Sequence, residues 1–266
     1  MYKDTKIERY ELLENIGNKI DTKNVFDIID NYKEELKKYI FTDIKLIDNK
    51  ESIEKAFQSR LCIFVSAFLI RSLMLREGLV IALNNNNFPT YYATLKSFLE
   101  IPAALGYVTE FIYKNEDYQK IISCINTLIM GNREAGSLYV GKTKSINVLT
   151  MFKKLDSVVK DIACEGKTQK ECEEIKKRES VLTTIYADVC NFGHPNFFAH
   201  LPIGILSKNG IWSAKKNSDG YKRELWSFYM PGFITGIEII VMLCGLISRN
   251  SKVNSFNLLT SKKYFE

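Results

Sequence analysis

The sequence is poor in the residues that interrupt secondary structure, with five prolines and fourteen glycines among 266 residues. Because proline and glycine mark turns and element ends, so few of them favour long helices over many short strands. Histidine is scarcer still, so any histidine-dependent chemistry must use His194 or His200. The six cysteines include no Cys-x-x-Cys pair, so we predict reduced thiols and no metal site.

A long basic block is also missing, although the net charge is +6. The lysines are scattered in short pairs, which is more typical of a solvated surface than of a nucleic-acid interface. The N-terminal residues are polar and do not resemble a signal peptide, so we predict a cytoplasmic protein. The most apolar segment, 233–247, contains Glu238 and is shorter than the roughly 20 residues of a spanning helix, so we predict no membrane span.

Hydrophobic residues make up 46% of the chain and aromatic residues 12%, which is enough for a large core. Apolar residues recur at helical spacing over most of the sequence. We therefore predict an all-α fold: a multi-helix bundle with a small β-hairpin near 203–214, before the C-terminal helix. Residues 1–48 are interpreted as peripheral helices, 49–250 as the bundle core and 251–266 as a tail, in one domain overall.

Three local features refine this prediction. Pro102 should kink or break its helix after Glu100. Residues 163–174 are polar and are predicted to form a flexible connector. The last helix, predicted over 222–248, has a candidate bend at Pro231-Gly232.

One segment combines a helix end with candidate chemistry. After an apolar helix that contains Tyr186 and Asn191, Gly193 is a helix stop, and His194 follows in an exposed His-Pro-Asn corner. A histidine there could act as a general acid or base near neutral pH. The alternative is that His194 bonds a backbone carbonyl and braces the corner.

Charged residues inside the apolar helices form a second candidate site. Lys96 and Glu100 share a helix face by their spacing, and Arg76 and Glu77 lie on the preceding helix. Buried charges need partners, so we expect cross-helix pairs such as Arg76 with Glu100 or Glu77 with Lys96. Such pairs either fix the register of the helices or surround a pocket that binds a ligand.

A third candidate is the segment 136–143, which matches the phosphate-binding pattern Gly-x4-Gly-Lys-Thr. That motif needs a buried strand before it, whereas residues 115–130 have a helical pattern. A flexible loop is the simpler interpretation.

Several segments between about residues 60 and 200 resemble a group of uncharacterised bacterial helical proteins. These segments are Arg76-Glu77, Tyr92-x3-Lys96-x3-Glu100, Asn147–Asp156 and Tyr186-x3-Cys190-x3-His194-Pro195-Asn196. Such proteins often lie near mobile elements or defence genes, and some are thought to be related to the HEPN superfamily of helical ribonucleases and nucleotide-binding domains. The resemblance implies an all-α bundle.

The chain departs from the ribonuclease pattern of that superfamily, Arg-x4–6-His, because the nearest arginine before His194 is Arg178. We therefore predict a non-enzymatic binding or interaction protein, of a bacterial defence or toxin-like system, without a cofactor. The alternative is a metal-independent ribonuclease that uses His194 with Arg76 and Glu100. Ligand contacts would then come from Lys96, Glu77, Tyr186 and Asn191. RNA and another protein both remain open as partners, as does a homodimer.

Overall fold

The computed structural model describes residues 22–130, 145–193, 204–206, 208–214, 229–250 and 262–263. This part of the chain is mostly helical, which confirms the all-α class. The helices are α1 (Thr22–Leu36), α2 (Ile53–Asn84), α3 (Phe88–Tyr113), α4 (Tyr118–Met130), α5 (Val148–Cys164), α6 (Gln169–Lys177), α7 (Val181–Gly193) and α8 (Met230–Arg249). A 3-10 turn, Lys37–Tyr39, follows α1.

The asparagine run and Pro89 set the boundary between α2 and α3. The side chain of Asn87 accepts a hydrogen bond from the backbone N–H of Thr90, 3.3 Å away, and so caps the start of α3. Pro89 lies in the first turn of α3, where its missing N–H costs no helical hydrogen bond. The four asparagines 84–87 and Pro89 thus separate two long helices.

The described residues belong to two compact units. The first unit comprises 1–34, 72–99 and 181–238. Its core is aromatic: the ring of Phe98 meets that of Tyr32 at 6.2 Å and that of Phe233 at 5.0 Å between centroids. Gly232 allows α8 to approach α7 closely, because an added Cβ there would stand 2.7 Å from Cδ1 of Ile185. A hydrogen bond of 2.9 Å from the hydroxyl of Tyr32 to that of Ser72 joins α1 to α2.

The second unit comprises 35–71, 100–180 and 239–266. Here α3 and α5 meet where Gly106 faces Leu155, and an added Cβ on Gly106 would stand 2.5 Å from Cδ1 of Leu155. The ring of Phe57 on α2 packs on that of Tyr118 on α4, with centroids 5.2 Å apart. The second unit therefore depends on close contact between helices from distant parts of the sequence.

Strands are short in the described residues. β1 (Phe41–Thr42) pairs antiparallel with β4 (Lys262–Lys263). β2 (Gly204–Leu206) pairs antiparallel with β3 (Trp212–Ala214), with Ile205 opposite Ser213. Gly210, between β2 and β3, has a φ of 75°, a conformation that suits glycine. Ser207 and residues 215–228, which adjoin these two strands, lie outside the described part.

The structure corrects two local predictions. α3 continues through Pro102 without a break, because Pro102 and its neighbours Ile101 and Ala103 are buried and packing outweighs the lost hydrogen bond. The alternative, a kink at Pro102, stays a prediction. The supposed connector 163–174 contains the end of α5 and the start of α6. Thr168 and Glu171 form a capping box that starts α6. The first residues of the predicted last helix, 222–228, and the N-terminal helix over 5–20 lie outside the described residues.

One described helix, α8, is long and apolar enough to cross a membrane by length and composition alone. Within the protein, 56% of its most apolar window is buried. A core helix passes the same test, so α8 is weak evidence for a membrane span.

Candidate functional site

The end of α7 is attached to α3 by aromatic stacking. The ring of Phe192 lies 4.4 Å from that of Tyr92, centroid to centroid, and nearly parallel to it, with an angle of 17° between the planes. The ring of Tyr229 meets both edge-on, at 4.9 Å from Tyr92 and 5.7 Å from Phe192. This cluster, formed by Tyr92, Phe192 and Tyr229, fixes the chain two residues before His194 against α3.

Several predicted ligand-binding residues lie around this aromatic cluster. Lys96 is one helical turn after Tyr92 on α3, so the two share a helix face, and its side chain is partly exposed. Tyr186 is buried in α7, whereas Asn191 is exposed one residue before Phe192. His194 itself lies outside the described residues, so its role stays a prediction.

Next to Tyr92, the side chain of Tyr91 is fully buried. Burial, together with the neighbouring Tyr92, raises the pKa of the Tyr91 phenol well above its ordinary value. Tyr91 therefore stays neutral and is not a candidate base.

Arg76 is the centre of a buried ionic cluster with Asp30 and Glu77. Its Nε donates to the carbonyl oxygen of Ile29 at 3.1 Å, its Nη2 to Asp30 at 3.1 Å and its Nη1 to Glu77 at 3.3 Å. The side chain of Arg76 is 4% exposed, compared with 26% for Asp30 and 18% for Glu77. Each nitrogen of the guanidinium thus donates to the protein, and the cluster joins α1 to α2.

The ion pairs of Arg76 in the structure include a partner that was not predicted. Asp30, on α1, was not among the predicted site residues, yet it is a carboxylate partner of Arg76. Glu77 pairs with Arg76, its neighbour on the same helix. The predicted pairing of Glu77 with Lys96 stays a prediction. Glu100 is partly exposed on α3, and its predicted pairing with Arg76 stays a prediction. Arg71, although it lies within the apolar sequence of α2, is exposed.

Sequence reasoning missed a second buried charge, Glu110 on α3. Its side chain is 4% exposed, and its carboxylate forms ion pairs with Nζ of Lys114 at 2.7 Å and with Nζ of Lys154 on α5 at 2.8 Å. The hydrogen bond and charge of Glu110 raise the pKa of Lys114 above its ordinary value. A possible signal was the spacing of Glu110 and Lys114, which is typical of an ion pair on one helix.

The described residues give no support for a metal site or for a phosphate-binding site. Among them, no group of three or more His, Cys, Asp or Glu side chains is placed to hold a metal ion. The candidate phosphate loop 136–143 lies outside them, and the nearest described segment before it, α4, is a helix. A phosphate loop of this type follows a buried strand, so the structural context counts against it.

Comparisons with protein-family models, with curated proteins and with solved structures found no match to this chain. The class of protein is therefore defined by its fold alone: an all-α protein whose candidate site is built on α2, α3 and α7.

Proposed function

We propose that this protein is a helical binding or interaction protein of the bacterial cytoplasm, belonging to a defence or toxin-like system, and that it acts without catalysis. The proposal rests on the hydrogen bonds and ion pairs that Arg76 makes within the protein. Its three guanidinium nitrogens all donate to protein oxygens, and its side chain is 4% exposed. A metal-independent ribonuclease that pairs an arginine with a histidine needs that arginine free to hold a phosphate.

The cost of releasing Arg76 supports the same conclusion. To reach a phosphate, the guanidinium would have to leave two carboxylates and a carbonyl. Of these, Asp30 and the carbonyl of Ile29 join α1 to α2. Breaking a buried ion pair by removing one partner costs about 3–5 kcal/mol. A binding protein needs no such rearrangement, because Arg76 then simply fixes the helices that carry the interaction surface.

The exposed faces of two helices favour a protein partner over RNA. On α2, Met74 and Ile81 are seven residues apart on one face and are 50% and 46% exposed. On α7, Val181 is 60% exposed, and Ala187 and Asn191 are exposed on the same helix. These side chains are uncharged, whereas RNA binding relies on cations that meet phosphates.

The test compares wild type with His194→Ala in two assays, degradation of RNA and toxicity to growing bacteria. We expect no RNA degradation by either protein and equal growth of both strains. RNA degradation by the wild type that is lost in His194→Ala would overturn the proposal in favour of catalysis. Far-ultraviolet circular dichroism of both proteins checks that the variant is folded.

A homodimer is the form of interaction to test first. Light scattering after size exclusion, over a range of concentrations, measures the mass of the wild type and of Met74→Lys. A dimer that dissociates in the variant would assign this α2 face to the contact. The matched control is Arg71→Lys, which changes an exposed residue of α2 without adding a charge to an apolar position.

The second candidate is a metal-independent ribonuclease similar to HEPN enzymes, with His194 as its acid–base group. One observation favours it: stacking of Phe192 on Tyr92 holds the chain near His194 against the helix that carries Lys96. In this alternative Lys96 or Arg76 would stabilise the phosphate, with Glu100 one turn after Lys96 on α3. Nucleotide binding at 136–143 is a weaker alternative, because α4 precedes that loop.

We also propose that β2 and β3 form the predicted hairpin before the last helix. Their antiparallel pairing and the φ of 75° at Gly210 support this assignment. A cytoplasmic location is supported by the burial of much of α8 and by the free state of all six cysteines.

A further inference from the structure

The helices α5 and α6 form a short hairpin on the surface of the second unit. α5 ends at Cys164, Gly166 has a φ of 71° that suits glycine, and Thr168 starts α6. The ammonium group of Lys160 donates to the carbonyl oxygen of Lys176 at 3.1 Å, which holds the far end of α6 against α5. α6 itself buries no residue, so it lies on the surface of the unit.

Two cysteines face each other across this hairpin. The thiol of Cys172 lies 3.5 Å from the carbonyl oxygen of Cys164, and the thiol of Cys164 lies 3.9 Å from the carbonyl oxygen of Cys172. Each sulfur is therefore beside the backbone of the other residue. The neighbouring side chain of Cys164, followed by partial desolvation, raises the pKa of Cys172 above its ordinary value. Both side chains are partly exposed, so a small oxidant reaches them.

The other cysteines lack this arrangement or are inaccessible. Cys62, Cys124 and Cys244 are buried, and burial raises the pKa of each thiol to about 12. Cys190 is partly exposed on α7, in the first unit. Cys164 and Cys172 are thus two accessible cysteines, and the structure places the sulfur of each beside the backbone of the other.

We propose that Cys164 and Cys172 are a site of reversible oxidation, at which a peroxide joins them in an intramolecular disulfide that locks α6 onto α5. One thiolate attacks a peroxide oxygen, breaks the O–O bond and becomes a sulfenic acid, releasing water after protonation. The second thiol then attacks that sulfur, forms the S–S bond and releases a second water. Two electrons pass from the sulfurs to the peroxide, and a dithiol reductant reverses the reaction.

The raised pKa of Cys172 and the reducing cytoplasm set the conditions for this reaction. Because its pKa is raised, the Cys172 thiol is mostly protonated at neutral pH, so the reduced form is the resting state and oxidation needs peroxide. Disulfides in reducing compartments are characteristically transient and sensing rather than structural. A link across α5 and α6 would lock a surface helix that buries no residue.

The test is peptide mapping of the full chain after treatment with hydrogen peroxide, alkylation of the remaining thiols and digestion with trypsin without reductant. The sequence gives two tryptic peptides, 161–167 with Cys164 and 171–176 with Cys172. We expect a linked pair of these peptides, lighter by two hydrogens than their sum, and loss of alkylation at both cysteines. Dithiothreitol should abolish the linked pair.

Matched variants make the result decisive. Cys164→Ser and Cys172→Ser should each abolish the link, whereas Cys190→Ser should retain it. Alkylation of Cys164 and Cys172 that is unchanged by peroxide, or their oxidation to sulfinic acids without a linked peptide, would overturn the proposal. A link that forms only between two chains, seen as a dimer on a non-reducing gel, would also overturn it.

Discussion

In the part of each unit that the structure describes, one deeply buried charge is paired with two opposite charges, but the sign of the central charge differs between the units. In the first unit a buried cation, Arg76, holds the carboxylates of Asp30 and Glu77. In the second unit a buried anion, Glu110, holds the ammonium groups of Lys114 and Lys154. Both central side chains are 4% exposed, so burial of the central charge does not distinguish them.

The exposure of the partner side chains does distinguish the two clusters. Asp30 and Glu77 are 26% and 18% exposed, whereas Lys114 and Lys154 are 49% and 38% exposed. If the central charge is removed, the two lysines can turn into water on their flexible side chains, but the two carboxylates stay partly desolvated. The Arg76 cluster is thus a rigid joint between helices, and the Glu110 cluster is an adaptable one.

The largest expected effect follows from removing Arg76. Arg76→Met should lower the free energy of unfolding by about 3 kcal/mol, because Asp30, Glu77 and the carbonyl of Ile29 lose their common donor. Urea denaturation measures this change. Arg76→Lys is the matched control and should lose less, since lysine keeps the charge without the three-way geometry. Equal stability of wild type and Arg76→Met would show that the cluster is not a joint.

The helices around these clusters could largely be predicted from the sequence, whereas the ionic partners could not. The all-α class followed from apolar residues that recur at helical spacing over most of the sequence. Asp30 could not be selected, because Arg76 is 46 residues away and the chain contains 31 acidic residues. Their contact depends on how α1 packs on α2, and no local pattern encodes that packing.

The helix α6 was missed for a different reason. Its sequence has almost no apolar residues, so periodicity gives no signal. A local signal did exist, because Thr168 and Glu171 have the spacing of a capping box. Recognising it would have placed Cys164 and Cys172 on adjacent helices rather than in a connector.

The variant Gly106→Ala tests whether the Glu110 cluster depends on close packing of α5 against α3. Gly106 is one turn before Glu110, and Leu155 follows Lys154, so the contact between Gly106 and Leu155 brings Lys154 to Glu110. Gly106→Ala should lower the free energy of unfolding by about 2 kcal/mol, because the new Cβ would stand 2.9 Å from Cα of Leu155 and force a backbone shift.

The matched control for that change is Gly78→Ala, two residues after Arg76. There the new Cβ would be 3.4 Å from Cγ2 of Thr94, near ordinary contact. Alanine favours the helix over glycine by about 1 kcal/mol, so this variant should keep or gain stability. A large loss in Gly78→Ala, measured by urea denaturation, would mean that the helices are packed as tightly at Gly78 as at Gly106.

Removing the buried carboxylate should have a smaller effect than removing Arg76. Glu110→Gln should lower the free energy of unfolding by about 1–2 kcal/mol, because both lysines can regain water. The control Glu116→Gln breaks an exposed pair with Lys120, at 2.8 Å, and should cost less than about 0.5 kcal/mol. If Glu110→Gln were as damaging as Arg76→Met, the distinction between a rigid and an adaptable joint would be wrong.

The smallest expected effect is a change in the pKa of Lys114. The hydrogen bond and charge of Glu110 raise this pKa above the ordinary value of 10.5. Since the folded pKa exceeds the unfolded one, the stabilisation is fully present below pH 10.5 and is lost as pH rises through the folded pKa. Titration of the Lys114 side chain by NMR should show its pKa fall towards 10.5 in Glu110→Gln. Lys154→Met, in which Glu110 is retained, should keep the pKa of Lys114 raised. Identical titration of Lys114 in wild type and Glu110→Gln would show that this exposed lysine is not held by Glu110, and the cluster would then reduce to the pair of Glu110 with Lys154 of α5.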